Sequence, residues 1–476
     1  MRQTLAKTIT AALLLAFPAV VVGQEILRPP AAAIPPQAGS EYTSPPRIPS
    51  SLDEMAALDR SASSNASVSY QLDDLLALAA KNNPTLVQAR LHISAELGKA
   101  LQAGLYPNPV FSYEADQIFV RNEEKSNTAG EFQGGILQQR FVTAGKLRLS
   151  REKYLRRANV SEHLAMAQQF RVCNDVRIHF YNALAASQTL AIRRELVKTA
   201  EDGAVTAQES YNMGQARRPE VRRANVMLQR ARLDLLSAEN TYNESFRRLA
   251  SLVGAQIEVG ALSGELLPQC PPLSFDEVLA RLVAESPELA AARAKLAVDQ
   301  ATVQRERVEW VPDVVVRGGS GYNFESKETV AVAGVSLEIP FYDRNQGTIR
   351  QAQADYTRQR REIERVELDL RNRLAMTYQQ YLTGLQHAAE YESLILPELK
   401  AAYAELLESY KDNRVEWPNV LMAQSDYFDA RLTQVDNLLH ARTQEVLIYG
   451  YLLHDGLMAA QGITPPGHID SVPKPR

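Results

Sequence analysis

The sequence lacks the clustered side chains on which most catalytic and metal sites are built. It has two cysteines and seven histidines in 476 residues, and none of them forms an H-x-x-x-H pair or a Cys/His cluster of the kind that binds zinc. No Gly-x-Ser-x-Gly element is present, and the Thr-Ala-Gly-Lys run at 143–146 lacks the remaining spacing of a phosphate-binding loop. We therefore predict no enzymatic activity, no bound metal and no cofactor.

The sequence also lacks a strong charge imbalance and, after its first residues, any long uncharged apolar run. Its formal net charge is −4 with 23% charged residues, which gives no sign of a nucleic-acid partner. Residues 1–23 combine Arg2 and Lys7 with an apolar stretch up to Val22, a pattern typical of a secretory signal peptide. The alternative is a membrane anchor, but the run is shorter than the ~20 residues that a spanning helix needs. If the mature chain enters a membrane, it must therefore do so as a β-barrel.

The two cysteines, Cys173 and Cys270, lie far apart in the sequence. In an oxidising compartment they could form a disulfide. Alternatively, Cys173 packs within a helix and Cys270 is a loop thiol. The sequence leaves both open because it does not supply the distance between them.

An internal duplication is the clearest pattern that is present. The Leu-Asp-Asp-Leu-Leu run at 72–76 leads to Asn83-Pro84, and the Phe-Asp-Glu-Val-Leu run at 275–279 leads to Ser286-Pro287 with the same spacing. A period of about 200 residues is too long for a solenoid and indicates two copies of one fold. We divide the chain into a signal peptide (1–23), a Pro/Ser-rich linker (24–69), repeat 1 (70–254), an inter-repeat linker (255–274), repeat 2 (275–455) and a flexible tail (456–476).

Each repeat has the same predicted order of elements. A helix (72–105 and 275–309) is followed by two strands, a long helix (146–210 and 347–409), a short tip and a returning helix. Apolar residues recur at helical spacing in the long segments, as at Ile363, Val366, Leu370 and Leu374. A helix of about 65 residues extends roughly 95 Å, which is unusual for a compact globular enzyme.

The predicted strands have one apolar and one polar face. Apolar residues such as Phe111, Tyr113 and Val335 alternate with polar ones, which is the period of a sheet that is wet on one side. The polar face comprises Ser112, Glu114, Asp116, Ser336 and Glu338. Four strands of about ten residues match the length of membrane-crossing strands, but four cannot close a barrel. Two chains would supply eight strands and three would supply twelve. The alternative is a soluble sheet with one solvated face.

Two tip segments lie between the long helices and the returning helices. Residues 211–221 read Tyr-Asn-Met-Gly-Gln-Ala-Arg-Arg-Pro-Glu-Val, and residues 410–420 read Tyr-Lys-Asp-Asn-Arg-Val-Glu-Trp-Pro-Asn-Val. Asn or Gly ends a helix, and Pro is favoured at the start of the next one. Each segment is therefore predicted to be the turn of a helical hairpin.

The leader, the duplicated unit and the two tip segments resemble TolC-type outer-membrane efflux proteins across residues 70–455. The Ile-Pro-Phe-Tyr-Asp-Arg-Asn-Gln-Gly run at 339–347 resembles the strand-to-helix junction of the cation-efflux (CzcC-like) branch. The resemblance implies a mainly α protein with a small transmembrane β part. It would form a homotrimer that shares a twelve-stranded outer-membrane β-barrel, four strands per chain, and a long α-helical barrel that extends into the periplasm.

The resemblance also implies partners and a function. The partners are outer-membrane lipid, a periplasmic adaptor protein and an inner-membrane pump of the proton-driven RND type. The channel would conduct cargo passively from that pump to the outside, and the cargo would be divalent metal cations or organic compounds. The alternative function is a periplasmic coiled-coil scaffold or adaptor without a membrane barrel.

On this resemblance the tip segments surround the periplasmic mouth of the channel. Glu220 and Asn419 occupy the positions of the family's usual aspartates, so the second copy has lost its charge. The candidate gate residues are Tyr211, Arg217, Arg218, Glu220, Tyr410, Arg414, Glu416 and Asn419. The alternative is that these are ordinary solvated turn residues. Trp417 is expected either to pack at a helix start or to contact the adaptor.

Overall fold

The computed structural model describes residues 69–116, 131–267, 274–412 and 414–463. The predicted signal peptide, nearly all of the predicted Pro/Ser-rich linker and Cys270 lie outside the described residues. Cys173 is half-buried in a helix. Its pairing with Cys270 stays a prediction.

The chain is mainly helical, with a four-stranded antiparallel sheet, a short two-stranded parallel sheet and the same order of main elements in both repeats. Repeat 1 contains β1 (Ser69–Tyr70), α1 (Leu72–Asn82), α2 (Pro84–Ala103), β2 (Val110–Asp116), β3 (Phe132–Phe141), α3 (Lys146–Asn212) and α4 (Arg218–Val253). After β4 (Ala261–Leu262), repeat 2 contains α5 (Phe275–Glu285), α6 (Pro287–Arg307), β5 (Val314–Asn323), β6 (Glu328–Leu337), α7 (Gln346–Glu390), a π-helix (Tyr391–Ile395), α8 (Leu396–Lys411) and α9 (Trp417–Tyr449). The predicted fold class and the two repeats are confirmed.

The first helix of each repeat is broken, contrary to the single helices predicted over 72–105 and 275–309. The breaks fall at Asn83 and at Ser286, each followed by a proline that opens the next helix. A proline has no backbone N–H to donate and disfavours helical geometry in the residue before it. At the first break, the Nδ2 of Asn83 donates a hydrogen bond to the backbone oxygen of Leu252 at 2.8 Å, which ties the break to the end of α4.

The second long helix is also interrupted, whereas a single helix was predicted over 347–409. A π-helix at Tyr391–Ile395 separates α7 from α8, and Pro397 follows in the first turn of α8. Because Pro397 cannot donate a backbone hydrogen bond, a local widening of the helix accommodates it. In repeat 1, α3 runs without interruption for 67 residues, about 100 Å at the usual helical rise.

The sheet consists of two hairpins in the order β2-β3-β5-β6, all antiparallel. The register places the side chains of Phe111, Leu137 and Val335 on one face, and this face is exposed. Ser112, Glu114, Asp116 and Ser336 lie on the other face, as predicted. Glu338 follows the last residue of β6.

The polar face is less uniformly polar than the sequence pattern predicts. Phe132 and Ile136 project from it and are almost fully buried. Glycines on β5 leave room for them. Ile136 pairs with Gly319, where a Cβ would lie 3.0 Å from Ile136 Cγ1, and the ring of Phe132 lies over Gly321, where a Cβ would lie 2.5 Å from Phe132 Cε2. The glycines let the sheet hold two apolar side chains over its own backbone.

The helices share two main apolar cores. One joins α3 to α1, α4 and α9, and the other joins α7 to α5, α6 and the end of α9. A buried ion pair also links α2 to α3: Glu96 accepts two hydrogen bonds from Arg157, at 2.7 and 3.0 Å, and the Arg157 side chain is fully buried. No helix in the described ranges is both long enough and apolar enough to cross a membrane.

The segment after α9 departs from the flexible tail predicted from residue 456. The backbone N–H of Gly456 donates to Asp175 at 2.6 Å, and its oxygen accepts from Gln168 at 2.8 Å. Ile463 packs against an apolar cluster that includes Val160. Gly456 is therefore held against α3 by polar side chains, and Ile463 packs on the helices. Residues after Ile463 lie outside the described ranges.

Candidate functional site at the helical hairpin tips

The first tip joins α3 to α4 through a tight turn. The backbone N–H groups of Gln215 and Ala216 both donate to the oxygen of Ser210. Gly214 has φ +75°, a left-handed conformation that favours glycine. The carboxylate of Glu220 accepts a hydrogen bond from the backbone N–H of Arg217 at 3.2 Å. Glu220 therefore caps the start of α4, where a negative charge also suits the helix dipole.

The second tip joins α8 to α9 with a similar backbone but different charges. The N–H of Arg414 donates to the oxygen of Ser409, and the N–H of Asn419 donates to the oxygen of Glu416. The Arg414 guanidinium pairs with Asp412 at 2.8 Å within the same turn. Asn419 is exposed and uncharged, so this tip has no counterpart of Glu220.

A small aromatic core holds the two tips together. Trp417 is 3% exposed and packs on Tyr410, with ring centroids 4.7 Å apart. Ala207 and Ala224 complete the core from α3 and α4, and the Tyr410 hydroxyl lies 3.2 Å from the Ser210 hydroxyl. Trp417 is thus a packing residue.

The predicted gate residues divide into exposed and buried groups. Tyr410 belongs to the aromatic core, whereas its counterpart Tyr211 is exposed. Arg217, Arg218 and Glu416 are also exposed. Among the described residues of a single chain, no ion pair joins these arginines to Glu416. The tips are therefore held together within one chain by apolar packing, while their charged residues face outward.

A second polar cluster lies at the base of the sheet, where sequence reasoning predicted only a strand-to-helix turn. Asp313 is nearly buried and accepts hydrogen bonds from Lys146 at 2.9 Å, from the Arg140 side chain at 3.0 Å and from the backbone N–H of Thr143. Burial alone would raise the pKa of Asp313, but these three donors hold it below its ordinary value. The lysine of the Thr-Ala-Gly-Lys run is thus half of a buried ion pair that links the two repeats. The only sequence signal for it was a lysine at the first position of a helix after two small residues.

The comparisons with known proteins agree with this architecture. The family model described as "Outer membrane efflux protein" matches residues 75–255 and 278–452, which correspond to the two repeats. The chain belongs to the outer membrane efflux protein family. Members of this family are transport proteins rather than enzymes. The scaffold alternative is therefore wrong: the protein is an outer-membrane efflux channel that extends into the periplasm.

Two curated relatives and one solved structure illustrate the similarity. The cobalt-zinc-cadmium resistance protein CzcC of Cupriavidus metallidurans is 26% identical over 365 residues, covering 76% of this chain and 84% of that protein. The alkaline protease secretion protein AprF of Pseudomonas aeruginosa is 22% identical over 64% of this chain and 66% of that protein. A crystal structure of the transmembrane channel CusC has a TM-score of 0.69 at 17% identity, covering 82% of this chain and 95% of that one. Family members work in tripartite systems with an adaptor and an inner-membrane pump.

Proposed function

We propose that three copies of this chain form one channel and that divalent metal cations pass through it. The free edges of the four-stranded sheet are the observation that supports an assembly of three copies. Within the described residues, β2 and β6 each pair on one side only, so their outer edges carry unpaired backbone N–H and C=O groups. Such edges are not tolerated in lipid unless another strand pairs with them.

The exposed faces of the sheet suit a shared barrel. One face bears large apolar residues that are largely exposed in a single chain, including Phe111 (72%), Tyr113 (65%) and Val335 (69%). An outward band of this kind is typical of membrane barrels. The opposite face carries Glu114 and Asp116, which suit a water-filled interior. Twelve strands from three copies would close the barrel and leave no free edge.

The proposal that divalent metal cations are the cargo rests on the relative CzcC and on the charge of Glu220. CzcC is named for cobalt, zinc and cadmium resistance, and it matches a larger part of this chain than AprF does. In a ring of three copies, three Glu220 carboxylates would stand near the mouth. Rings of acidic side chains attract cations in other channels. We further propose that a proton-driven pump of the RND type supplies the energy and that an adaptor joins it to the tips.

The role of Glu220 is tested by single-channel recording in planar bilayers. We expect Glu220→Gln to raise the Zn²⁺ concentration for half-maximal block about tenfold, equivalent to ~1.4 kcal/mol of binding free energy. Glu258→Gln is the matched control, since it removes an exposed carboxylate that follows the far end of α4 from the tip, and its block should stay within about twofold of wild type. Equal block in all three proteins would remove Glu220 from the mouth.

The assembly is tested by carbonate extraction of membranes, followed by native mass spectrometry. The expected result is a protein that resists extraction and has the mass of three chains. A monomer that is released with the soluble fraction would contradict the proposed channel.

A further inference from the structure

All five charged residues in the strands of the four-stranded sheet project from the same face. Two are basic, Arg140 and Arg317, and three are acidic, Glu114, Asp116 and Glu328. The opposite face, which alternates with it along each strand, has no charged residue in the described ranges of β2, β3, β5 and β6. Because the uncharged face is the one proposed above to contact lipid, the charged face would line the water-filled interior.

The two signs of charge are separated along the strands. Asp116 and Glu328 lie at one level across the sheet, at the end where β5 turns into β6, and Glu114 lies two residues before Asp116 in β2. Arg317 pairs with Gly334, six residues after Glu328 in β6. At the usual rise per residue, these two levels are about 20 Å apart along the strands. The charged face is thus acidic near the β5–β6 turn and basic towards the end that leads into the helices.

The Arg317 side chain runs across β6 because its cross-strand partner has no side chain. A Cβ at Gly334 would lie 2.8 Å from Arg317 Nε and 3.1 Å from its Cγ, so a larger residue at this position would force the arginine to move. Glycine within a strand often marks such a close approach. Arg317 is nevertheless exposed. Its charge therefore lies along the sheet surface and in contact with solvent.

The two basic residues of this face differ in their partners. Arg140 pairs with Asp313 at 2.7 Å, and this carboxylate offsets its charge. Arg317 has no acidic partner within ion-pair distance in the part of the chain that the structure describes. Of the two arginines, Arg317 is thus the one whose positive charge is not offset by a neighbour.

We propose that Arg317 sets the ion selectivity of the barrel, because it repels cations and attracts anions at its level of the interior. This inference rests on the three-copy channel proposed above, in which three guanidinium groups would surround that level. Rings of charged side chains select ions in other channels. Since the Coulomb energy is proportional to the product of the charges, a divalent cation is repelled twice as strongly as K⁺. An outgoing cation would pass this basic level before it reaches the acidic end of the barrel.

Reversal potentials in planar bilayers test this role. The full-length protein is recorded across a tenfold KCl gradient, as wild type and as Arg317→Gln. We expect the substitution to raise the permeability ratio of K⁺ to Cl⁻ by at least about twofold, because a fixed positive charge is lost from the pore wall. In a CaCl₂ gradient, the ratio of Ca²⁺ to Cl⁻ should rise by a larger factor, since the divalent ion is repelled more strongly. Arg317→Ser removes the same charge and is recorded in parallel.

Two controls separate charge from side-chain shape. Arg317→Lys keeps the positive charge at the same position, so its permeability ratio should stay within about 1.5-fold of wild type. Glu114→Gln removes a negative charge from the same face of the sheet and should lower the ratio instead. Shifts of opposite sign in Arg317→Gln and Glu114→Gln would show that both side chains face the conducting water.

The outcomes separate the role of Arg317 from the channel itself. Conducting channels with an unchanged reversal potential in Arg317→Gln and Arg317→Ser would overturn the role of Arg317 and leave the proposed channel intact. An equal shift in Arg317→Lys would also overturn it, because the charge would then not be the cause. A wild-type protein that has the mass of one chain and forms no channels would overturn both proposals.

Discussion

Replacing Trp417 by alanine should loosen both hairpin tips. Trp417 is buried between α8, α9 and α3: its ring packs on Tyr410, and a Cβ at Gly203 would lie 2.9 Å from it. Truncation of a buried tryptophan to alanine typically costs about 3–5 kcal/mol. Because every 1.4 kcal/mol is a factor of ten in an equilibrium constant, local opening of the tips should increase roughly a hundredfold to a few thousandfold.

Hydrogen exchange measures this opening directly, since amide exchange in a locally opening segment reports its free energy. In Trp417→Ala, amides of residues 403–411 and 421–424 should exchange faster by at least a hundredfold. Amides in the first half of α3 should change little. Trp417→Phe keeps an aromatic ring beside Tyr410 and should show a much smaller increase.

The chain supplies its own control, because its other tryptophan, Trp310, is 50% exposed and lies near the sheet rather than the tips. Trp310→Ala should leave tip exchange within about twofold of wild type. An increase of less than tenfold in Trp417→Ala would refute the view that this aromatic core holds the tips together.

Two further predictions concern the buried ion pairs. Burial raises the pKa of Glu96, but hydrogen bonds from Arg157 and Lys99 outweigh it and lower the pKa. Since the unfolded value is ~4.3, this stabilisation is present above that pH and is lost as the pH falls through the lower folded value. Glu96→Gln should therefore lower the free energy of unfolding by about 3–5 kcal/mol at neutral pH, because the Arg157 charge stays buried. It should also flatten the acid limb of a plot of thermal midpoint against pH. Asp313→Ala removes the carboxylate that pairs with the buried Lys146 and should lower the free energy of unfolding by about 3 kcal/mol, as measured by denaturant unfolding. Asp313→Asn should lower it by less.

The sequence by itself determined the repeat, the element types and the family. These follow from short-range rules: a helix shows its apolar residues every three to four positions, and a strand shows them every two. The tip segments could also be predicted from the sequence. Gly214 favours the end of α3, and the prolines in the first turns of α4 and α9 favour the start of a helix. The same rules failed where a proline lies inside a long helical pattern. Its effect depends on neighbouring packing, which favours a break at Asn83 and a π-helix before Pro397.

Only the tertiary structure decided which tip residues are buried and which charges have partners. Tyr211 and Tyr410 occupy equivalent sequence positions, but Tyr410 faces Trp417 while Tyr211 faces outward. The sequence pattern did not predict the ion pairs of Asp313, because its partners, Lys146 and Arg140, are about 170 residues away. Contacts at such separations depend on how the two repeats pack, and a linear pattern carries no record of that packing.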